Sequence, residues 1–440
     1  MNRISLTLLS TLLVVNILAQ KTLTLDEGIE KLLLNNYDIR LSEKSVESAR
    51  INTGIYNSGY LPRVQLNGNA SYSLGNQDME LSGGTTISVT NAESSQYNAS
   101  LGVNYLLYSG GRRKILQKQL KEKLHISEIE AQNTLEKALN SNYTAYYRTA
   151  LAHVQTQMLE EALDISKQRL TRARYRYEFG QGNKLEVLNA RVDTDNDSLR
   201  YVQSLTTLNN LKRNLLQIIG EKDTGTDFEV EKEVHFGIIP SREELLERLE
   251  ENKDLLGLQK NIELLQLSER LQKTALYPNL AFSTSYSWNY SDNPPGSSTA
   301  MQITNYGWNN GLSLSWDIFD GGNTKIRRQQ AKIQTETALI RKEKTEQQLR
   351  TLLLNTYDTY ENNLSLWKTA KENLETARLN YLRSKEMFDT GNINSLQFRQ
   401  AQLNLLNAEN AVYAAMYDAK LSEIDLLKLT GALYNGQSGD

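Results

Sequence analysis

The sequence predicts an α+β membrane protein in which long coiled-coil helices adjoin membrane-crossing β-strands, arranged as two tandem repeats. Three observations predict it. Proline and glycine fall at a few points only, two long stretches match each other at one constant spacing, and four segments alternate between apolar and small polar residues.

A chain of 440 residues has room for two or three domains. It holds no cysteine, so neither a disulfide framework nor a cysteine metal site is available. Lys+Arg (49) nearly balance Asp+Glu (52), which argues against nucleic acid as the partner because phosphate contacts need a basic surplus. Residues 1–19 read as a secretory signal: Arg3 supplies the charge, Ile4–Leu18 the apolar run, and Ile17-Leu18-Ala19 the cleavage site before Gln20. That run has 15 residues, is interrupted by Ser5, Thr7, Ser10 and Thr11, and falls short of the roughly 20 that a membrane anchor needs. No other apolar run is long enough, so any membrane crossing must use β-strands.

The prolines are Pro62, Pro240, Pro278, Pro294 and Pro295, and the stretches between and after them allow very long helices. Between Arg112 and Ile219 the only glycines are Gly180 and Gly182; between Asn323 and Thr430 the only one is Gly391. A lone glycine between helix-forming sequences suits a tight turn, because it accepts positive φ without strain. These stretches are copies 211 residues apart: Gly180 recurs as Gly391, Asn183 as Asn394, Leu185 as Leu396, Ala190 as Ala401, Gly220 as Gly431, and Tyr108-Ser109-Gly110-Gly111 as Phe319-Asp320-Gly321-Gly322. Upstream, Thr24 with Glu27 and Ser241 with Glu244 read as capping boxes at the two repeat starts.

Repeat 1 is therefore 20–220, with an opening helix (about 25–59), a strand pair (64–74 and 97–108), a long helix (112–178), a tip (179–183) and a return helix (184–219). An equatorial linker, 221–239, leads to repeat 2, 240–431: helix, strand pair (280–290 and 305–319), long helix (323–388), tip (389–394) and return helix (395–430), then a tail, 432–440. Each long helix extends on the order of 100 Å at about 1.5 Å per residue. The return helix is half that length, and the opening helix is the right size to cover the rest. Past the second tip, Leu396, Leu403, Leu406, Tyr413, Tyr417, Ile424 and Leu427 follow the 3,4 spacing of a coiled coil, with Asn410 as the polar exception.

In the strand pairs, Val64, Leu66, Gly68, Ala70, Tyr72 and Leu74 alternate with Gln65, Asn67, Asn69, Ser71 and Ser73, and the other three strands repeat the pattern. Strands of about ten residues cross a bilayer at a tilt. Three of the four tryptophans lie here, and the opposite face is Ser/Asn/Gly rather than Lys/Glu, which separates a membrane barrel from an ordinary half-buried sheet. The connections 75–96 and 291–304 read as polar surface loops. Four strands cannot close around a pore, so several chains must share one barrel.

Together with the tip segments Phe179–Arg191 and Asp389–Gln402, this layout resembles the TolC-like outer-membrane efflux protein family over essentially the whole mature chain. The resemblance implies a homotrimer whose three chains jointly form an outer-membrane β-barrel continuous with a periplasmic helical tunnel. It implies a passive exit duct for drugs, metals or other small molecules. An inner-membrane pump of RND, ABC or MFS type would drive export through a periplasmic adaptor, with outer-membrane lipid around the barrel. No cofactor and no metal is implied. The adaptor-docking tips would comprise Phe179, Gly180, Gly182, Asn183, Phe388, Gly391, Asn392 and Asn394. Better-known members close the second tip with aspartates and brace it with Tyr and Arg; the corresponding residues here are Gln397, Gln400, Phe388 and Ile393, and only Glu186 at the first tip keeps a carboxylate. Glu186, Gln397 and Gln400 are thus the candidate pore constriction, closed by packing and hydrogen bonds rather than by an acidic ring.

Two other readings stand beside efflux: a type I protein-secretion duct of the same architecture, and a non-channel coiled-coil surface spacer or adhesin. An enzyme is disfavoured, because His125, His153 and His235 lack ligand spacing and no serine elbow, P-loop or HExxH occurs.

Overall fold

A computed structural model describes residues 22–80, 83–293 and 301–433. The expected signal peptide, Pro294, Pro295 and nearly all of the tail lie outside them. In chain order the elements are β1 (Thr22–Leu23), α1 (Leu25–Asn35), α2 (Tyr37–Asn52), β2 (Arg63–Glu80), β3 (Thr86–Ser109), α3 (Arg112–Glu178), α4 (Lys184–Ile218) and β4 (Glu229–Val230). They continue with α5 (Arg242–Arg248), α6 (Lys253–Lys273), β5 (Asn279–Asp292), β6 (Gln302–Ser315), α7 (Asn323–Asp389) and α8 (Ser395–Leu429). The four long helices start and stop within a residue of the positions the glycines and prolines predict.

The opening helices differ from expectation. Each is broken by an asparagine, Asn36 between α1 and α2 and Asn252 between α5 and α6. The Asn36 amide donates to Ile218 O at 2.8 Å and the Asn252 amide to Leu429 O at 3.0 Å, so each break satisfies a terminal carbonyl of the return helix. Ser241 and Glu244 form the full reciprocal cap; Thr24 makes only one half, accepting from the Glu27 N–H.

The chain forms two compact units. One comprises residues 42–131 and 254–346, and holds the sheet β2-β3-β5-β6, antiparallel throughout. β2 and β3 are far longer than expected and absorb nearly all of the predicted 75–96 loop, with a bulge between Gly75 and Gln77. β6 ends at Ser315, short of the expected 319. The register sets like beside like across all four strands: Leu66–Leu101–Tyr286–Trp308 and Gly68–Ala99–Trp288–Tyr306 on one face, Asn67–Ser100–Ser287–Gly307 and Asn69–Asn98–Asn289–Asn305 on the other. Tyr72, Tyr306, Trp308 and Leu312 are exposed in the single chain, as are Leu314 near the end of β6 and Trp316 just past it. Within this unit α6 lies along the start of α3, with Gln119 donating to Ser268 at 2.8 Å, and the Arg113 guanidinium stacks over Tyr60 and Tyr105.

The other unit comprises the described parts of 1–41, 132–253 and 347–440. Its core joins Ile29 and Leu32 of α1, Leu139 and Tyr146 of α3, Leu215 of α4, and Tyr417 and Ile424 of α8. The linker is not idle here. β4 pairs in parallel with β1, and the Tyr146 hydroxyl donates to Leu23 O and accepts from the Glu231 N–H, clasping both strands. Along α8 the expected apolar stripe holds at Tyr417 and Ile424, but near the tip the buried residues are Phe398, Arg399, Ala401, Gln402 and Ala408 while Leu396 is exposed.

Candidate functional site

Both tips are built as the sequence requires. Gly180 and Gly391 have φ of +71° and +80°, and nothing lies within 4 Å of where a Cβ would stand on either. The backbone tightens ahead of each turn: Gln181 N–H donates to Arg176 O and Asn392 N–H to Met387 O, both at 2.7 Å. Asn183 caps α4 by accepting from the Glu186 N–H, and Asn394 caps α8 in a reciprocal box with Gln397.

The two tips are not equivalent. Phe179 is exposed at the first. Phe388, expected to be a docking residue at the second, is buried: its ring stacks on Phe398 with centroids 4.8 Å apart, and the Arg172 guanidinium lies over the ring at 4.6 Å. It holds the tip together rather than presenting itself. Gly182 sits close against Arg176, whose guanidinium reaches Glu186 Oε1 at 3.3 Å and Gln181 O at 3.2 Å. The Glu186 carboxylate is therefore engaged within its own turn. Gln397 Oε1 accepts from the Asn394 N–H at 3.1 Å, and the exposed Gln400 donates to Asn404 at 2.9 Å. Asn392 donates to Thr390 within the turn.

Sequence reasoning missed the network above the tips. Arg399 of α8 forms a two-pronged pair with Asp197 of α4, at 2.7 Å and 2.6 Å, and the Ser166 hydroxyl also donates to Asp197. Beside it, Arg169 of α3 donates to Asp193 at 3.0 Å and to Ser395 O and Oγ. Burial pulls the Arg169 pKa down, against Asp193, which raises it. Nearest the turn, Arg172 donates to Asp389 Oδ1 at 2.7 Å and to the carbonyls of Phe388 and Asp389. Three arginines thus tie the α3–α4 hairpin to the α7–α8 hairpin. The available signal was the placement of Arg169 and Arg172 along α3 and the Asp193–Asp197 spacing of one helical turn.

A family model described as Outer membrane efflux protein matches residues 28–221 and 245–432, one match per repeat. The chain belongs to that family. It is an outer-membrane efflux protein. It is similar to the probable efflux pump outer membrane protein TtgC of Pseudomonas putida, 24% identical over 94% of this chain and 84% of that protein. It is also similar to the cation efflux system protein CusC of Escherichia coli, 23% identical over 92% and 85%. Among solved structures, the CmeC outer membrane channel of Campylobacter jejuni superposes with a TM-score of 0.77 at 20% identity, covering 94% of this chain and 87% of that one. These names describe transport proteins, which accords with a chain read as a channel and not an enzyme.

Proposed function

We propose that the chain works as a homotrimer in which three four-stranded sheets close one barrel, giving passive exit to small molecules that an inner-membrane pump delivers through a periplasmic adaptor. The register of the sheet carries this reading. One face is mostly apolar and aromatic at its centre, the other mostly Ser/Asn/Gly, and the outer edges of β2 and β6 have no partner strand among the described residues. An apolar belt exposed to water would be costly, and an open edge in lipid more so; closure with two further copies removes both. Twelve strands make a barrel wider than the eight-stranded kind whose interior side chains fill.

The charges support the orientation. From Val64 to Gly111 and from Thr274 to Thr324 there is no Lys or Arg, whereas Arg112, Arg113 and Lys114 open α3 and Lys325, Arg327 and Arg328 open α7. The strands, free of Lys and Arg past Arg63, span the bilayer, and the basic helix starts stand on its periplasmic side.

The adaptor docks on the turns around Gly180 and Gly391, through Phe179, Gly182, Asn183, Asn392 and Asn394, with Phe388 as internal support. Glu186, Gln397 and Gln400 narrow the pore, held by hydrogen bonds and by the arginine ties, so block by divalent cations is weak. Efflux is favoured over protein secretion by the relatives, whose names specify an efflux pump and cation efflux. Replacing both Gly180 and Gly391 by a bulky residue should leave trimers intact and abolish export. Normal export in that double variant refutes the docking assignment, and strong divalent block in planar bilayers refutes the weakly charged constriction.

A further inference from the structure

In its fully paired rows the polar face of the sheet holds a single charge. In the five rows where all four strands are paired, that face is built from Asn, Ser, Gln, Gly and Ile303, and the one ionised side chain is Arg63. Arg63 begins β2, and the register places Asn104, Ser283 and Gly311 beside it on the same face. These neighbours are small or uncharged, none is an acid, and Arg63 is exposed and makes no ion pair among the described residues. An arginine stays charged at every accessible pH. Its place at the first residue of the strand puts it at the end of the sheet next to the helices.

We propose that Arg63 is the residue that sets the ionic preference of the barrel: three copies ring the lumen where barrel meets tunnel and favour anions along a barrel wall whose other fully paired polar rows are uncharged. This rests on the shared-barrel reading above. A neutral Ser/Asn wall passes solutes of either sign and hydrogen-bonds to polar ones. The ring adds a modest positive potential, on the order of kT at low salt, that fades when screening shortens to about 3 Å at 1 M. Uncharged and anionic solutes leave through this barrel most easily.

The test is the reversal potential of full-length trimers in planar bilayers under a KCl gradient, compared across variants with unchanged tips. The ratio of chloride to potassium permeability should fall by about two- to threefold from wild type to Arg63→Gln and again to Arg63→Glu, as a potential on the order of kT implies. Arg63→Lys should keep the wild-type value, and the differences should shrink at 1 M salt. Ser285→Lys, one row further along the same face, should raise the ratio and does not depend on Arg63 for folding. Equal ratios in all variants overturn the assignment while leaving the channel intact. No current from wild-type trimers would instead strike the channel reading itself.

Discussion

Asp197→Ala isolates the energetics of the tie between the two helical hairpins. In the wild type the Asp197 carboxylate meets both terminal nitrogens of Arg399, and the two side chains are 2% and 8% exposed. Once it is removed, Arg399 keeps Gln402 Oε1 at 3.2 Å and Ser166 Oγ at 3.3 Å, neither of which carries charge. The remaining acid, Asp193, lies 3.9 Å from Arg399 Nε, beyond hydrogen-bond range, and is already held by Arg169. Breaking one side of a buried pair costs about 3–5 kcal/mol, mostly because the other charge stays buried and uncompensated. That is roughly two to three and a half orders of magnitude in the local opening equilibrium. Amide hydrogen exchange on the purified protein should show this loss in peptides around Ser166, Asp197 and Arg399. Peptides of the sheet should not change. Asp197→Leu combined with Arg399→Met removes both charges at similar volume, and should recover most of the protection. A change below tenfold in Asp197→Ala, or a double variant as weak as the single, would refute the reasoning.

Other substitutions test the turns and the helix breaks. A Cβ on Gly220 would stand 2.6 Å from Asn35 O, whereas one on Gly180 meets nothing, although both have positive φ. Gly220→Ala should therefore lower the melting temperature well beyond Gly180→Ala, whose cost is about 1–2 kcal/mol of left-handed strain; equal shifts would contradict the packing. Asn252→Ala strands Leu429 O and should cost about 1–3 kcal/mol in thermal unfolding, with Asn36→Ala alike at Ile218 O. Burial, then the like charge of Glu161, raises the Glu409 pKa from 4.5, with Arg378 opposing. The folded state thus holds that proton more tightly than the unfolded state, and stability from this group falls as pH rises from about 4.5 through the raised pKa. Glu409→Gln should be more stable than wild type at pH 7 and indistinguishable from it at pH 4, as followed by melting temperature.

The long helices were legible because their punctuation is chemical: lone glycines at positive φ and the absence of proline between them. The sheet was legible because a bilayer demands strict alternation. Where β2 and β3 run on through Asn76, Gln77 and Asp78, the demand lapses, and polar residues on both faces read as loop although the backbone still pairs. The break at Asn36 left no trace, since an asparagine inside a helix looks like any exposed polar residue until its carbonyl partner is known. The tip network was hidden for a related reason. Arg169 and Arg172 resemble a solvated helix face, and their partners Ser395 and Asp389 lie more than 200 residues further along the chain. Phe388 misled in the other direction: an aromatic beside a turn suggests a docking residue, but the Arg172 and Phe398 contacts that bury it come from elsewhere in the fold.

In the proposed trimer each chain contributes one third of a closed barrel. The most direct test is the native mass of the particle extracted by detergent from membranes of cells producing the full-length chain, measured by light scattering and corrected for bound detergent. Three chains per particle, released only with detergent, is the expected result. A monomer, or protein released without detergent, would contradict it.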